Sequence, residues 1–191
     1  MDRLAYIVDI VQSQVIASVK KEQDLQKAVT SNANVIFLLT GDLLSTKKYI
    51  DRLKEANKST FIHLDFIDGL TNSRNAIQYI AREWKPLGIV TTKSNLIKYA
   101  KEENLATIQR IFVIDKNALA KGVEIANSVR PDAIEILPGL MPKIIDQITK
   151  QTHLPVIAGG LISDKQEIMN GLKAGALAIS SGDPSLWNLD L

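Results

Sequence analysis

The chain reads as an α/β protein: one lean (β/α)8 barrel of the TIM type over residues 1–191, with residues 1–12 as a lead-in segment and a short C-terminal helix. Three observations predict this. Short apolar runs alternate with helical stretches of ten or more residues, and a parallel crossover needs that much chain. The unit recurs at roughly 20 to 25 residues, so about eight strand–helix units fit into a chain shorter than the ~250 residues usual for such barrels. Two turns suited to anions, Gly159-Gly160 and Ser181-Gly182, follow the last two strand-like runs. Barrels of this class hold phosphate at that place, whereas a dinucleotide fold carries its glycine fingerprint after the first strand. An open doubly wound sheet is the alternative architecture.

In chain order, Leu4, Ile7, Val8 and Val11 fall at helical spacing and predict a lead-in helix over residues 2–11. A strand at 15–19 and a polar helix at 21–29 follow, with a turn at 32–34. Residues 35–39 form the second strand and 43–56 the next helix, with Leu44, Ile50 and Leu53 available to a core. The third strand is 60–64. Asn72-Ser73 caps a helix that runs to Trp84, where Lys85-Pro86 stops it. Strands at 88–91, 106–112 and 133–136 alternate with helices at 94–103 and 118–128. Pro142 suits the first turn of a helix reaching Gln151. The closing pair of strands, 156–158 and 177–180, brackets a helix at 164–174, and a short helix opens at Pro184. Trp187 is expected to pack that helix.

With 46% hydrophobic and 23% charged residues the composition is globular, and no apolar run approaches the roughly 20 residues of a membrane helix. The first residues lack the features of a signal peptide, so a cytoplasmic protein is expected. The absence of cysteine removes disulfides, thiolate metal sites and a Cys nucleophile. A net charge of +2, with Lys and Glu interspersed, does not form the concentrated basic stripe typical of nucleic-acid binders.

Polar residues at strand ends carry the candidate chemistry, because barrels of this class build their sites at the C-terminal mouth. Alternation in Phe61-Ile62-His63-Leu64-Asp65 points His63 and Asp65 to the barrel axis, and the same pattern in Ala133-Ile134-Glu135-Ile136 points Glu135 inward. The two carboxylates are expected to approach each other across the mouth. Lys93 and Arg110 are cations near the ends of the intervening strands, suited either to neutralising those carboxylates or to holding a phosphate. Gln109 and Arg110 cannot share a face, and alternation alone does not say which points inward. His153 precedes a strand at the opposite end and reads as a surface residue. Backbone amides of Gly159, Gly160, Ser181 and Gly182 are expected to face one anion, supported by the short helix from Pro184. No metal-ligand cluster, activated nucleophile or cofactor fingerprint is present in the sequence.

Several runs then carry a resemblance that extends over nearly the whole chain. They are His63-Leu-Asp-Phe-Ile-Asp-Gly-Leu70, Gly88-Ile-Val-Thr-Thr-Lys-Ser-Asn95, Thr107-Ile-Gln-Arg-Ile-Phe-Val-Ile-Asp115, Glu135-Ile-Leu-Pro-Gly-Leu-Met-Pro142, Pro155-Val-Ile-Ala-Gly-Gly-Leu-Ile162 and Leu186-Trp187. In order and spacing the sequence resembles the glycerol-uptake operon antiterminator regulatory proteins. The resemblance implies a barrel that binds glycerol 3-phosphate and, when liganded, acts on leader RNA to prevent termination of transcription of glycerol genes. The chain departs from the family pattern at Leu39-Thr40-Gly41-Asp42, where an acid and a histidine are usual, at Ser180-Ser181-Gly182-Asp183, where Thr-Thr-Ser-Asn is usual, and at Lys93, where arginine is common. The expected partners are glycerol 3-phosphate or a similar small phosphate ester, leader mRNA by resemblance alone, and a further copy of the chain, with no membrane. The alternative function is a barrel enzyme acting on a small phosphorylated substrate, with Asp65 and Glu135 as acid and base.

Overall fold

The computed structural model describes residues 3–191, with side chains from Ile7 onward. Eight parallel strands close into a barrel in chain order: β1 (Val15–Val19), β2 (Val35–Leu38), β3 (Ser59–His63), β4 (Gly88–Thr91), β5 (Ala106–Phe112), β6 (Ala133–Leu137), β7 (Val156–Gly159) and β8 (Ala178–Ser181). The barrel closes where β1 pairs with β8, Ala17 lying opposite Ser181. Helix α1 (Arg3–Ile10) precedes the barrel. Outside the strands lie α2 (Leu25–Thr30), α3 (Thr46–Glu55), α4 (Arg74–Tyr79), α5 (Ser94–Glu102), α6 (Lys116–Val129), α7 (Pro142–Gln151) and α8 (Lys165–Lys173). After β8 the helix is a single 3-10 turn, Pro184–Leu186. No helix among the described residues is long and apolar enough to cross a membrane.

The two faces of the strands make two cores. Residues such as Ala17, Ile36, Ile62, Ile89, Ile134, Ala158 and Ile179 pack outward against the helices. The alternate set, including Ile16, Phe37, Phe61, Val90, Ile108, Ala133, Ile157 and Ala178, fills the barrel, as the period of two requires. The rings of Phe37 and Phe61 meet edge to face inside it, centroids 5.9 Å apart. Ile7 and Val11 join this interior cluster, so α1 and its exit cover the N-terminal opening. Asn34 fastens that cover, its Oδ1 accepting from the amides of Gln12 and Ser13. Of the helix expected over residues 2–11, Asp2 and the side chain of Leu4 lie outside the described residues; residues 3–10 form it.

Caps explain two differences from the expected boundaries. Asp42 accepts hydrogen bonds from the amides of Leu44 and Ser45, both at 2.7 Å, and this turn delays α3 to Thr46. Leu44, expected in the core, is therefore 86% exposed, while Ile50 and Leu53 are buried. Asp115 caps α6 by accepting from Ala118 N and starts that helix two residues early. Ser73 caps α4 as the sequence indicates, and the helix continues as a π-helical turn, Ile80–Trp84, that ends at Lys85 with φ 51°. Trp187 is buried, its indole N–H donating to the Ser181 carbonyl at 2.8 Å.

Candidate functional site

One pleat toward the C-terminal end, the barrel interior changes from apolar to polar. Two residues beyond Ile16, Phe61, Ile108, Ala133 and Ala178 stand Ser18, His63, Arg110, Glu135 and Ser180, all buried. Arg110 on β5 lies opposite Glu135 on β6. Its Nε donates to Glu135 Oε2 at 2.6 Å, and the Ser180 hydroxyl donates to Oε1 at 2.6 Å. The inward residue of the pair left open by alternation is thus Arg110. Gln109 lies opposite helix-facing Ile134, and its Oε1 is buried without a partner among the described residues.

Glycine makes this network sterically feasible. A Cβ at Gly159 would lie 1.9 Å from Ser180 Oγ and 3.0 Å from Glu135 Oε1, so only a residue without a side chain leaves room for their hydrogen bond. A carboxylate at 1% exposure needs such partners, because an unpaired buried charge is costly. Glu135 uses two of roughly four acceptor positions, leaving capacity toward the mouth. Beside it, burial, then the positive charge of Arg110, hold the His63 imidazole down at about 4, so it is neutral at pH 7. His63 Nδ1 has no hydrogen-bond partner among the described residues, and its ring meets Phe66 edge on, centroids 4.8 Å apart.

Above this layer a cavity of about 640 Å³ opens at the mouth, floored by Arg110, Glu135 and Ser180 and walled by Gly160, Ser181 and Gly182. Gly160 takes φ +79°, a conformation open to glycine, and its carbonyl accepts from Gly139 N. The amides of Gly160 and Gly182 donate to no group among the described residues. Lys20, just past β1, lines the same cavity; a Cβ on Gly182 would lie 2.9 Å from its Nζ. That ammonium has no ion-pair partner among the described residues. A recess of equal volume between α6 and α7 gathers none of the buried polar groups.

The structure brings Arg110, Glu135, Gly160, Ser181 and Gly182 to one cavity and separates Asp65 and Lys93 from it. Asp65 does not point down the barrel axis, because β3 ends at His63 and Asp65 falls in the 3-10 turn Leu64–Phe66. There it accepts from Lys93 Nζ and Asn72 Nδ2, both at 2.8 Å. Partial burial raises its pKa, but the bonds from Lys93 and Asn72 outweigh this and hold the carboxyl below its ordinary range. The two carboxylates therefore do not meet: each is held by its own cation. Two further expectations change. Ser181, expected to open the turn after the last strand, is the final residue of β8, its side chain outward in register with helix-facing Ala17 and accepting from Asp183 N. The short helix from Pro184 is capped by Asp183, whose Oδ1 takes the Ser185 amide and hydroxyl, so its end is not offered to an anion. Lys20 escaped the sequence reading; the signal was a cation immediately after the first strand, at the same end as the glycine turns.

Residues 15–187 match the family described as glycerol-3-phosphate responsive antiterminators. The chain is similar to a glycerol uptake operon antiterminator regulatory protein from Listeria monocytogenes, with 33% identity, 92% of this chain and 95% of that one covered, and a TM-score of 0.88. A glycerol uptake operon antiterminator-related protein from Thermotoga maritima gives 30% identity, coverage of 91% and 96%, and a TM-score of 0.80. The uncharacterised protein YgcP of Escherichia coli is 34% identical over 178 residues, 93% of each chain.

Proposed function

The chain belongs to the glycerol-3-phosphate responsive antiterminator family, and from that premise we propose that its mouth cavity holds glycerol 3-phosphate by two ends. The phosphate lies against Lys20 and the amides of Gly160 and Gly182. The glycerol hydroxyls reach down to Glu135, an acceptor, with Arg110 fixing its position. The observation that carries this reading is the polarity of one cavity: an unpaired ammonium and free amides on its wall, a buried carboxylate on its floor. Gly159 contributes space to the floor, and Asp65 and Lys93 pair with each other outside the cavity.

When liganded, the protein acts in the cytoplasm on leader RNA of glycerol-utilisation genes and prevents termination. It acts as a binder and not as a catalyst. Acid–base work by Asp65 and Glu135 would need both within hydrogen-bond reach of one bound substrate, whereas Glu135 floors the cavity, Asp65 does not line it, and each carboxylate is tied to a separate cation.

Calorimetry with glycerol 3-phosphate, glycerol and inorganic phosphate tests the cavity reading. The ester should bind best, and Lys20→Ala should weaken it by about 1.5 to 3 kcal/mol, the range for a hydrogen bond to a charged group. Equal affinity for glycerol and its phosphate would remove the reading. Read-through of a leader template transcribed with and without the ester tests the RNA role, and product formation on prolonged incubation would hand the case to an enzyme.

A further inference from the structure

We propose that a recess at the opposite, N-terminal end of the barrel is a second anion site, built to take a phosphate group. It lies where α3 ends and β3 and β4 begin, has a volume of about 280 Å³, and is lined by Lys54, Lys58 and Lys85 together with Thr60. Among the described residues no carboxylate lines it. None of the three lysines forms an ion pair among the described residues.

Lysines at helix C-termini often serve only to balance the helix dipole, and the magnitudes decide against that here. The ends of α3 and of the turn following α4 together present about one negative charge, half from each, against three ammonium groups. An excess of about two positive charges remains. Lys58 spends one donor on the Ser31 carbonyl at 2.6 Å and keeps two. Its partial burial pushes its pKa below the usual lysine range, as expected of a cation lacking a counter-charge. Neither the Lys54 nor the Lys85 ammonium engages any group among the described residues, and the Lys85 backbone is fixed by its amide donating to the Ile80 carbonyl, at φ 51° before a proline.

The second observation is independent of charge. Thr60, 3% exposed, has a side-chain oxygen with no hydrogen-bond partner among the described residues. A buried hydroxyl is ordinarily satisfied, so one facing the helix layer beside three unneutralised cations marks a polar site awaiting an acceptor. Phosphate oxygens meet both demands, accepting from ammonium groups and from a hydroxyl. The source is either free phosphate or the backbone of a nucleic acid. This inference does not depend on what occupies the mouth.

Two arms test it on the full chain. Inorganic phosphate is titrated while backbone amide shifts of Lys58, Ser59 and Lys85 are followed by NMR; they should move in the wild type and not in the Lys54→Gln/Lys85→Gln variant, whose unfolding midpoint checks the fold. A short single-stranded RNA is then titrated by fluorescence anisotropy at several salt concentrations. If nucleic acid is the source, the double variant binds about tenfold more weakly at low salt and its log–log salt slope falls by about 1.4, the share of two phosphate contacts. If free phosphate is the source, RNA affinity is equal in both proteins while the amide shifts persist in the wild type. Thr60→Val, which keeps the shape and removes the hydroxyl, should weaken phosphate binding severalfold in either case. Unmoved amides together with unchanged RNA affinity would overturn the site.

Discussion

Two carboxylate–cation pairs stand at the same end of this barrel, and they differ mainly in depth. Glu135 and Arg110 have side-chain exposures of 1% and 6%, with N–O 2.6 Å apart, while Asp65 and Lys93 have 30% and 42%, at 2.8 Å. The distances are nearly equal, so geometry does not separate the pairs. Solvent does: an exposed pair is screened and contributes at most about 1 kcal/mol, whereas breaking a buried pair strands a charge in a medium that cannot solvate it. The deep pair belongs to the barrel's architecture and to the floor of its cavity. The shallow one ties the turn after β3 to the turn after β4.

The largest effect should come from halving the deep pair. Arg110→Met is expected to lower unfolding free energy by about 3 to 5 kcal/mol in urea titrations, because Glu135 keeps only Ser180; a loss no larger than that at the rim would erase the distinction. Next is the pH response of His63. Its folded pKa of about 4 lies below the 6.5 of an unfolded chain, so the unfolded state binds the extra proton as pH falls between those values. Stability is full above pH 6.5 and declines toward pH 4 by about 3 kcal/mol. His63→Gln should lose that part of the slope when unfolding is measured at both ends of the window. Gly160→Val should weaken glycerol 3-phosphate by about 2 kcal/mol, since a Cβ there already meets Leu137 at 3.1 Å and the left-handed φ suits no branched residue; calorimetry reads it. The smallest change is predicted for Lys93→Ala, under about 1 kcal/mol in stability, with ligand affinity unaltered. A large loss of affinity there would place the rim inside the site.

The barrel was legible because its strands are short and apolar, its crossovers long, and its phase of two regular from Phe61 to His63 and from Ala133 to Glu135. Glu135 could be placed for that reason. Arg110 could not, because neither neighbour along β5 reveals which face Gln109 takes until the pairing with Glu135 is known. Asp65 was misplaced by extending the alternation one turn too far: nothing in Leu64-Asp65-Phe66 announces that the strand yields to a 3-10 turn. Lys20 was hidden among the polar residues that open the next helix, and its significance lies in a contact with Gly182, far away along the chain. Side-chain caps such as Asp42 and Asp183 compete for amides that a sequence pattern leaves free, which is why the short terminal helix looked available to an anion.

Closure of the lower end by Ile7 and Val11 has a kinetic consequence. With the tube packed below and stoppered beneath, a small molecule enters and leaves the upper cavity by one route. The same obstruction therefore resists arrival and escape alike. A bulkier side chain at Phe112, which lines the opening and is half exposed, should lengthen residence and slow capture in equal proportion, leaving the dissociation constant where it was.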